Sequence, residues 1–230
     1  MLGTITNVTT IITGSLIGCM LKKGLGATYE KALMDALGLC ATALGINAVV
    51  QAMPDSRYPV LFIISLAIGA AVGTKLDLED SFKRAVGKLS GGSELSRGLS
   101  TAILLYCIGT FSILGPIQSA LWGDHTYLFT NAMLDFVTSI ILSASFGFGI
   151  ALAAAVLFCW QGSIYVLAQF IAPFLSDALM TEVSLVGGVL IISSGLSILK
   201  IKEFKTVNMI PALLVPAIAV PILTVLGIGV

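Results

Sequence analysis

Charge is what this sequence has least of. Lys, Arg, Asp and Glu make up 10% of its 230 residues, against roughly 25% in an average soluble domain. The 12 Lys and Arg balance the 12 Asp and Glu. A soluble fold of this length needs a polar shell that so few charged residues do not make, so a soluble enzyme is not expected. The lack of a basic excess argues against a nucleic-acid binder. Histidine is nearly missing: His125 stands alone, in a short polar loop, which removes a histidine-based metal site or catalytic pair within one chain. Cysteine is scarce. Cys19, Cys40, Cys107 and Cys159 lie inside apolar segments with no metal-ligand or redox spacing, and they read as small buried hydrophobes. Phosphate-loop, His-Glu-x-x-His and Gly-x-Gly-x-x-Gly patterns are missing too, so neither an enzyme nor a cofactor is expected. No basic stretch precedes the first apolar run, which is therefore expected as a retained span.

What is present is apolar sequence: 57% hydrophobic residues and a mean hydropathy of +1.04. This excludes disorder. The apolar runs are continuous rather than alternating, which disfavours a β-barrel. The expectation is an all-α, polytopic transmembrane bundle forming a single integral domain over 1–230. A membrane helix needs about 20 mostly apolar residues, and eight stretches qualify: 3–21, ended by Lys22-Lys23-Gly24; 33–52; 59–74; 99–121; 131–151; 153–172, closed by Pro173; 183–199; and 207–228. The two central stretches would be joined by a very tight turn. A re-entrant segment within 131–172 is the alternative. Eight crossings place Lys22, Lys23, Lys31, Lys75, Lys83, Arg84, Lys88, Arg97, Lys200, Lys202 and Lys205 on the cytoplasmic side, with both termini outside. Leu78, Phe82, Val86 and Leu89 recur at helical spacing between charges, so 77–90 is expected as an amphipathic helix along the cytoplasmic interface. Trp122, Tyr127 and Tyr58 stand where interfacial anchors do.

An internal repeat is suggested by four matches in order. Gly14-Ser15 resembles Gly162-Ser163, and Gly38…Gly45 resembles Gly188…Gly195. Ala32-Leu33-Met34 resembles Ala178-Leu179-Met180, and Pro59 corresponds to Pro211. Spans one to three would recur as spans six to eight with opposite orientation, an architecture shared by many secondary transporters and also found in channels. The alternative is that Gly-rich helices resemble one another. Gly14-x-x-x-Gly18 and Gly69-x-x-x-Gly73 allow close helix approach, within one chain or between subunits.

Polar residues at membrane depth are costly and therefore informative. Asn131, Asp135, Ser139 and Ser143 fall four apart on one helical stripe. A proton or cation site would explain the acid; an interhelical hydrogen-bond seam, with the carboxyl reaching the outer surface, is the alternative. Asn7 in span one, Gln161 in span six and Asn208 in span eight are further candidate ligands. Pro211, Pro216 and Pro221 make span eight the expected broken helix, with carbonyls freed near Pro211 to bind a hard cation such as sodium. Asp35 and Glu182, near span ends, read as solvated charges.

Several of these stretches resemble the YdfK/YqgA-like family of bacterial inner-membrane proteins, a domain-of-unknown-function family. They are Gly3 to Gly18 with Asn7 and Gly14-Ser15, Gly38-Leu39 before Gly45-Ile46, and Leu134-Asp135 with Ser139. The remainder are Gln161-Gly162-Ser163, Gly195-Leu196 through Lys200-Ile201-Lys202, and Asn208 before Ile210-Pro211-Ala212. The family pattern has Gly where this chain has Phe136. The resemblance implies a bacterial plasma-membrane location and a single domain, and no substrate. The functional expectation is a carrier of a small solute or ion, homo-oligomeric, with Asp135, Ser139, Asn131, Asn7, Gln161 and Asn208 at its site. A channel, or a non-transporting scaffold docking through 77–90, would be the alternatives. The scaffold predicts that the Asp135 stripe packs on another helix.

Overall fold

The computed structural model describes residues 1–21, 26–88, 94–172 and 176–227. Lys22, Lys23, Gly24, Leu89, Pro173, residue 228 and the side chain of Arg97 lie outside the described residues. Among the described residues every regular element is helical: α1 Leu2–Met20, α2 Ala27–Ala52, α3 Leu61–Leu76, α4 Leu78–Gly87, α5 Glu94–Ile108, α6 Thr110–Leu121, α7 Thr126–Phe146, α8 Ala153–Ile171, α9 Asp177–Ile198, α10 Thr206–Met209 and α11 Leu214–Val225. Seven of the stretches they form are long and apolar enough to cross a membrane, and the bent pair α5–α6 makes an eighth if it is one span. Several ends have local causes. The Ser176 side chain accepts the Leu179 N–H at the start of α9, and Asp77 closes α3 in the left-handed conformation at φ 50°. The tight turn inside 131–172 lies at Gly147, φ 84°, rather than near residue 152. No polar residue marks it, and the positive φ is what calls for glycine. Both flanking stretches, Thr126–Phe146 and Phe148–Ile171, have span length.

The chain divides into two compact units, one of Met1–Leu37 with Ser81–Pro173 and one of Gly38–Asp80 with Phe174–Val230. In the first, α1 runs parallel to α7. Gly3 abuts Leu128, Asn7 bonds Asp135, and Gly18 abuts the Ile140 backbone. A Cβ on Gly14 would stand 2.7 Å from the Phe136 carbonyl oxygen. The core holds Ile11, Ile103, Tyr106, Ile150 and Leu157, joined by Val86 of α4. Phe82 meets Trp160 edge-on at 5.3 Å. The apolar side of α4 is thus packed on protein. Tyr127, expected at the interface, is buried and meets Phe111 edge-on at 5.9 Å.

In the second unit α2 and α9 pack antiparallel through glycines. Gly38 abuts Leu199 and Gly188 abuts Val49; Gly195 abuts Thr42 and Gly45 abuts Ile192. Each contact becomes the other when residues 150 apart are exchanged. Similarly α3 opposes α10–α11, with Leu61 in one cluster with Val220, and Gly69 and Gly73 against the backbones of Ala212 and Asn208. Both small-residue motifs are therefore used within the chain. Residues 210–213 form a 3-10 turn before α11. This interrupts span eight near Pro211 as expected, and a sharper break lies in span four, where α5 and α6 meet at 47°.

These directions fix the crossing count. Helices crossing a bilayer alternate, so parallel α1 and α7 need an odd number of spans between them. Antiparallel α2/α9 and α3/α11 need an even number. All three conditions hold when α5–α6 is one crossing, and all three fail when it is none.

Cys107 is buried as expected, whereas Cys19, Cys40 and Cys159 are exposed on the protein surface. In a bilayer that apolar surface faces lipid, so the expectation of burial in protein is corrected for these three. Asn208, buried at the start of span eight, accepts the Glu79 N–H at 2.8 Å. It thereby caps α4 from outside the helix. Asn208→Ala is expected to cost about 1 kcal/mol, as other lost N-terminal caps do, read as a lowered Tm in detergent.

Candidate functional site

The four residues of the α7 stripe, Asn131, Asp135, Ser139 and Ser143, are all buried. Asp135 is 4% exposed. Its Oδ2 accepts two hydrogen bonds of 2.9 Å, from Nδ2 of Asn131 one turn earlier on α7 and from Nδ2 of Asn7 on α1. Both donors are neutral amides. Among the described residues no Lys, Arg or His forms a salt bridge with this acid.

One turn further along, Ser139 Oγ donates to the Asp135 carbonyl at 2.6 Å. Its proton is thereby spent, so in the 2.7 Å contact with Tyr106 the phenol is the donor. Tyr106 lies on α5, fully buried. The helix break next to it faces the same cluster: a Cβ on Gly109 would lie 3.9 Å from Asn131 Oδ1. The Gly109 backbone is extended, ψ 142°, and α6 starts directly after it. A helix start inside the bundle leaves N–H groups without helical partners and a partial positive charge. Pro116 in α6 returns no N–H to the Ser112 carbonyl.

The six candidate site residues divide. Asn7, Asn131, Asp135 and Ser139 form one connected cluster. Gln161 belongs to the same unit but donates to Ser112 Oγ at 3.2 Å, and its Oε1 is buried without a partner. Thr4, Ser15 and Ser143 hydroxyls and the Trp160 indole nitrogen are likewise buried and unpaired in this unit. Asn208 lies in the other unit, as the α4 cap. Tyr106 escaped the sequence reading, although a tyrosine mid-way along a span, away from the interfacial belt, is itself a signal. Glu182 is corrected outright. It is 1% exposed rather than solvated, because α9 begins at Asp177 and carries it inward. At the α6–α7 turn, burial disfavours the ionised Asp124. Hydrogen bonds from the Thr126 hydroxyl and N–H and from Gln118 outweigh this, and the carboxyl is held below its ordinary pKa.

A bundle of apolar spans enclosing a carboxylate, its amide donors and a broken helix defines a polytopic helical membrane protein. The chain belongs to the family described as Protein of unknown function (DUF554), whose model matches residues 2–221. It is 54% identical over 228 residues to the Uncharacterized membrane protein YdfK of Bacillus subtilis (strain 168), covering 99% of each chain. It is 28% identical over 223 residues to the Uncharacterized protein YqgA of Escherichia coli (strain K12), covering 93% of each. No solved structure matches it.

Proposed function

We propose that this protein is a carrier of a small solute or ion in a bacterial plasma membrane, with Asp135 as the group that takes up and releases a cation or proton. One observation carries this reading: a buried acid in an apolar bundle, held by neutral amides and, among the described residues, compensated by no basic side chain. Such a charge is expensive in a membrane, and a visiting cation or proton removes the expense. The break at Gly109 supports it, since carriers often place discontinuous helices at their ion sites. The glycine contacts between α2 and α9, related by a 150-residue exchange, favour the inverted repeat. Sodium-22 uptake and proton flux into proteoliposomes test the reading, with Asp135→Asn as the decisive variant. Saturable, gradient-driven flux distinguishes a carrier from a pore with unitary currents.

A non-transporting subunit is the second reading, favoured by the close packing of the α7 stripe on α1. The packing of half-buried Phe82 and buried Val86 on the core weakens its docking surface, because much of the apolar face of α4 is already covered. Homo-oligomerisation would have to use faces other than the two glycine motifs. The distribution of Lys and Arg supports a topology with both termini outside. On a cysteine-free background, Asp124→Cys is therefore expected to react with an impermeant maleimide in intact cells. Lys202→Cys is expected to react only after permeabilisation.

A further inference from the structure

Gln161 stands apart from the hydrogen bonds around Asp135 and is fully buried. Its carboxamide meets the Ser112 hydroxyl at 3.2 Å, and its other end has no hydrogen-bond partner. Half a carboxamide left unsatisfied in a dry bundle is costly, and a visiting polar group removes the cost. A serine hydroxyl can give or accept a bond, so the carboxamide fits either way round. With Nε2 on Ser112, an acceptor is left bare. Turned over, Ser112 donates to Oε1 and both N–H groups of Nε2 are left free. The second arrangement also uses the Ser112 proton, for which the described residues offer no other acceptor.

What the bare end faces decides the ligand. Gly109 caps α6, and Ser112 is the third residue of that helix. Side chains on a helix lean toward its N-terminus, so Ser112 and the carboxamide on it lie beside the open end of α6. There the Ser112 N–H turns back to the Gly109 carbonyl at 3.0 Å, whereas the Phe111 N–H has no partner inside α6. The helix dipole adds a partial positive charge. There is also room. A Cβ on Gly3, Gly14, Gly18 or Gly115 of this unit would come within 3.0 Å of a neighbour. At half-buried Gly109 the nearest atom beyond its chain neighbours is Asn131 Oδ1, at 3.9 Å.

We infer that the Gln161 carboxamide and the Phe111 N–H at the start of α6 form a site for a small monovalent anion, of the carboxylate or halide kind. Donors converge there, and a helix start holds an anion without a basic residue. Asn131 links this site to the acid: it neighbours Gly109 and donates to Asp135 at 2.9 Å. An anion here and an ionised Asp135 repel one another. The cation or proton taken up by Asp135 lifts that repulsion, so the two ions load together. For transport this inference rests on the carrier reading and names its solute; for binding it does not.

The test uses the full-length Asp135→Asn protein, in which that repulsion is gone. Equilibrium binding of carbon-14 acetate and chlorine-36 chloride is measured, with unlabelled acetamide as an uncharged competitor. Saturable binding of at least one anion is expected, without competition by acetamide. Adding Gln161→Met abolishes it, while Tm without anion holds, because the thioether fills the same space and removes an unpaired polar group. Adding Ser112→Ala instead weakens binding by about tenfold, as the carboxamide loses its anchor, and it decides the matter if the Met variant does not fold. No binding of either anion overturns the site. So does binding that survives Gln161→Met, binding undiminished in Ser112→Ala, or displacement by acetamide, which would make the bare end an acceptor. Anion binding with no flux through the wild-type protein keeps the site and ends the carrier reading; wild-type flux with no anion binding does the reverse.

Discussion

Asp135→Asn is expected to yield a folded protein whose ion-driven flux is at background. The substitution is nearly isosteric. An asparagine Oδ1 at this position still accepts from Asn7 and Asn131, and the Ser139 bond goes to the main chain, so the cluster keeps its shape. What disappears is the negative charge. Two measurements separate the outcomes. Flux of sodium-22 and protons into proteoliposomes reports the function, and Tm in detergent reports the fold. Because the charge has no basic counterpart among the described residues, its removal is expected to leave Tm unchanged or raised, since losing an uncompensated buried charge relieves its desolvation. Unchanged flux would take the central role from Asp135. Lost flux with a sharply lowered Tm would make the acid a packing element. Asp135→Glu is expected to be impaired as well, because one more methylene group displaces the carboxylate from both amides.

A large effect on stability is expected at Gly18. A Cβ there would run into the main chain of Ile140, namely its carbonyl carbon and oxygen and its Cα. Backbone cannot rotate aside as a side chain does. In a bilayer there is little hydrophobic drive between helices, so close packing supplies much of the association energy. Gly18→Val must therefore push α1 away from α7, at a cost of about 3 kcal/mol or more, and the Asn7 bond to Asp135 stretches with it. The expected result is a large drop in Tm and poor yield. Gly162→Ala is the control. Near Gly162 a Cβ would meet only the Met1 methyl, at 3.7 Å, and alanine favours the helix by about 0.5–1 kcal/mol, so Tm should hold or rise. The pair Gly14-Ser15 and Gly162-Ser163 thus match in sequence and differ in use. The α2–α9 glycines match in both.

Much of the architecture was legible because hydrophobicity over about 20 residues is a strong signal, and the four-residue spacing from Asn131 to Ser143 forces a shared face. The break in span four was not legible. Its cause is Gly109 leaving the helix, and a lone glycine in an apolar run has many ordinary uses. Prolines pointed to span eight, where Pro211 opens the 3-10 turn that separates α10 from α11, and no proline marks Gly109. Glu182 was misplaced because charge was read from distance to a presumed helix end. The start of α9 at Asp177, set by the Ser176 cap, moves it inside. Tyr106 and Gly109 come to Asp135 only through tertiary packing, which no local pattern encodes.

The parallel pairing of α1 with α7 also governs biogenesis. Asn7 and Asp135 are 128 residues apart. At about 5–20 residues synthesised per second, α1 waits on the order of ten seconds in the bilayer before its mate arrives. Throughout that wait its glycine groove faces lipid and its amide has no acid to meet. A ribosome stalled before α7 would leave an orphan helix bearing a polar flag, which is what membrane quality-control proteases are built to find.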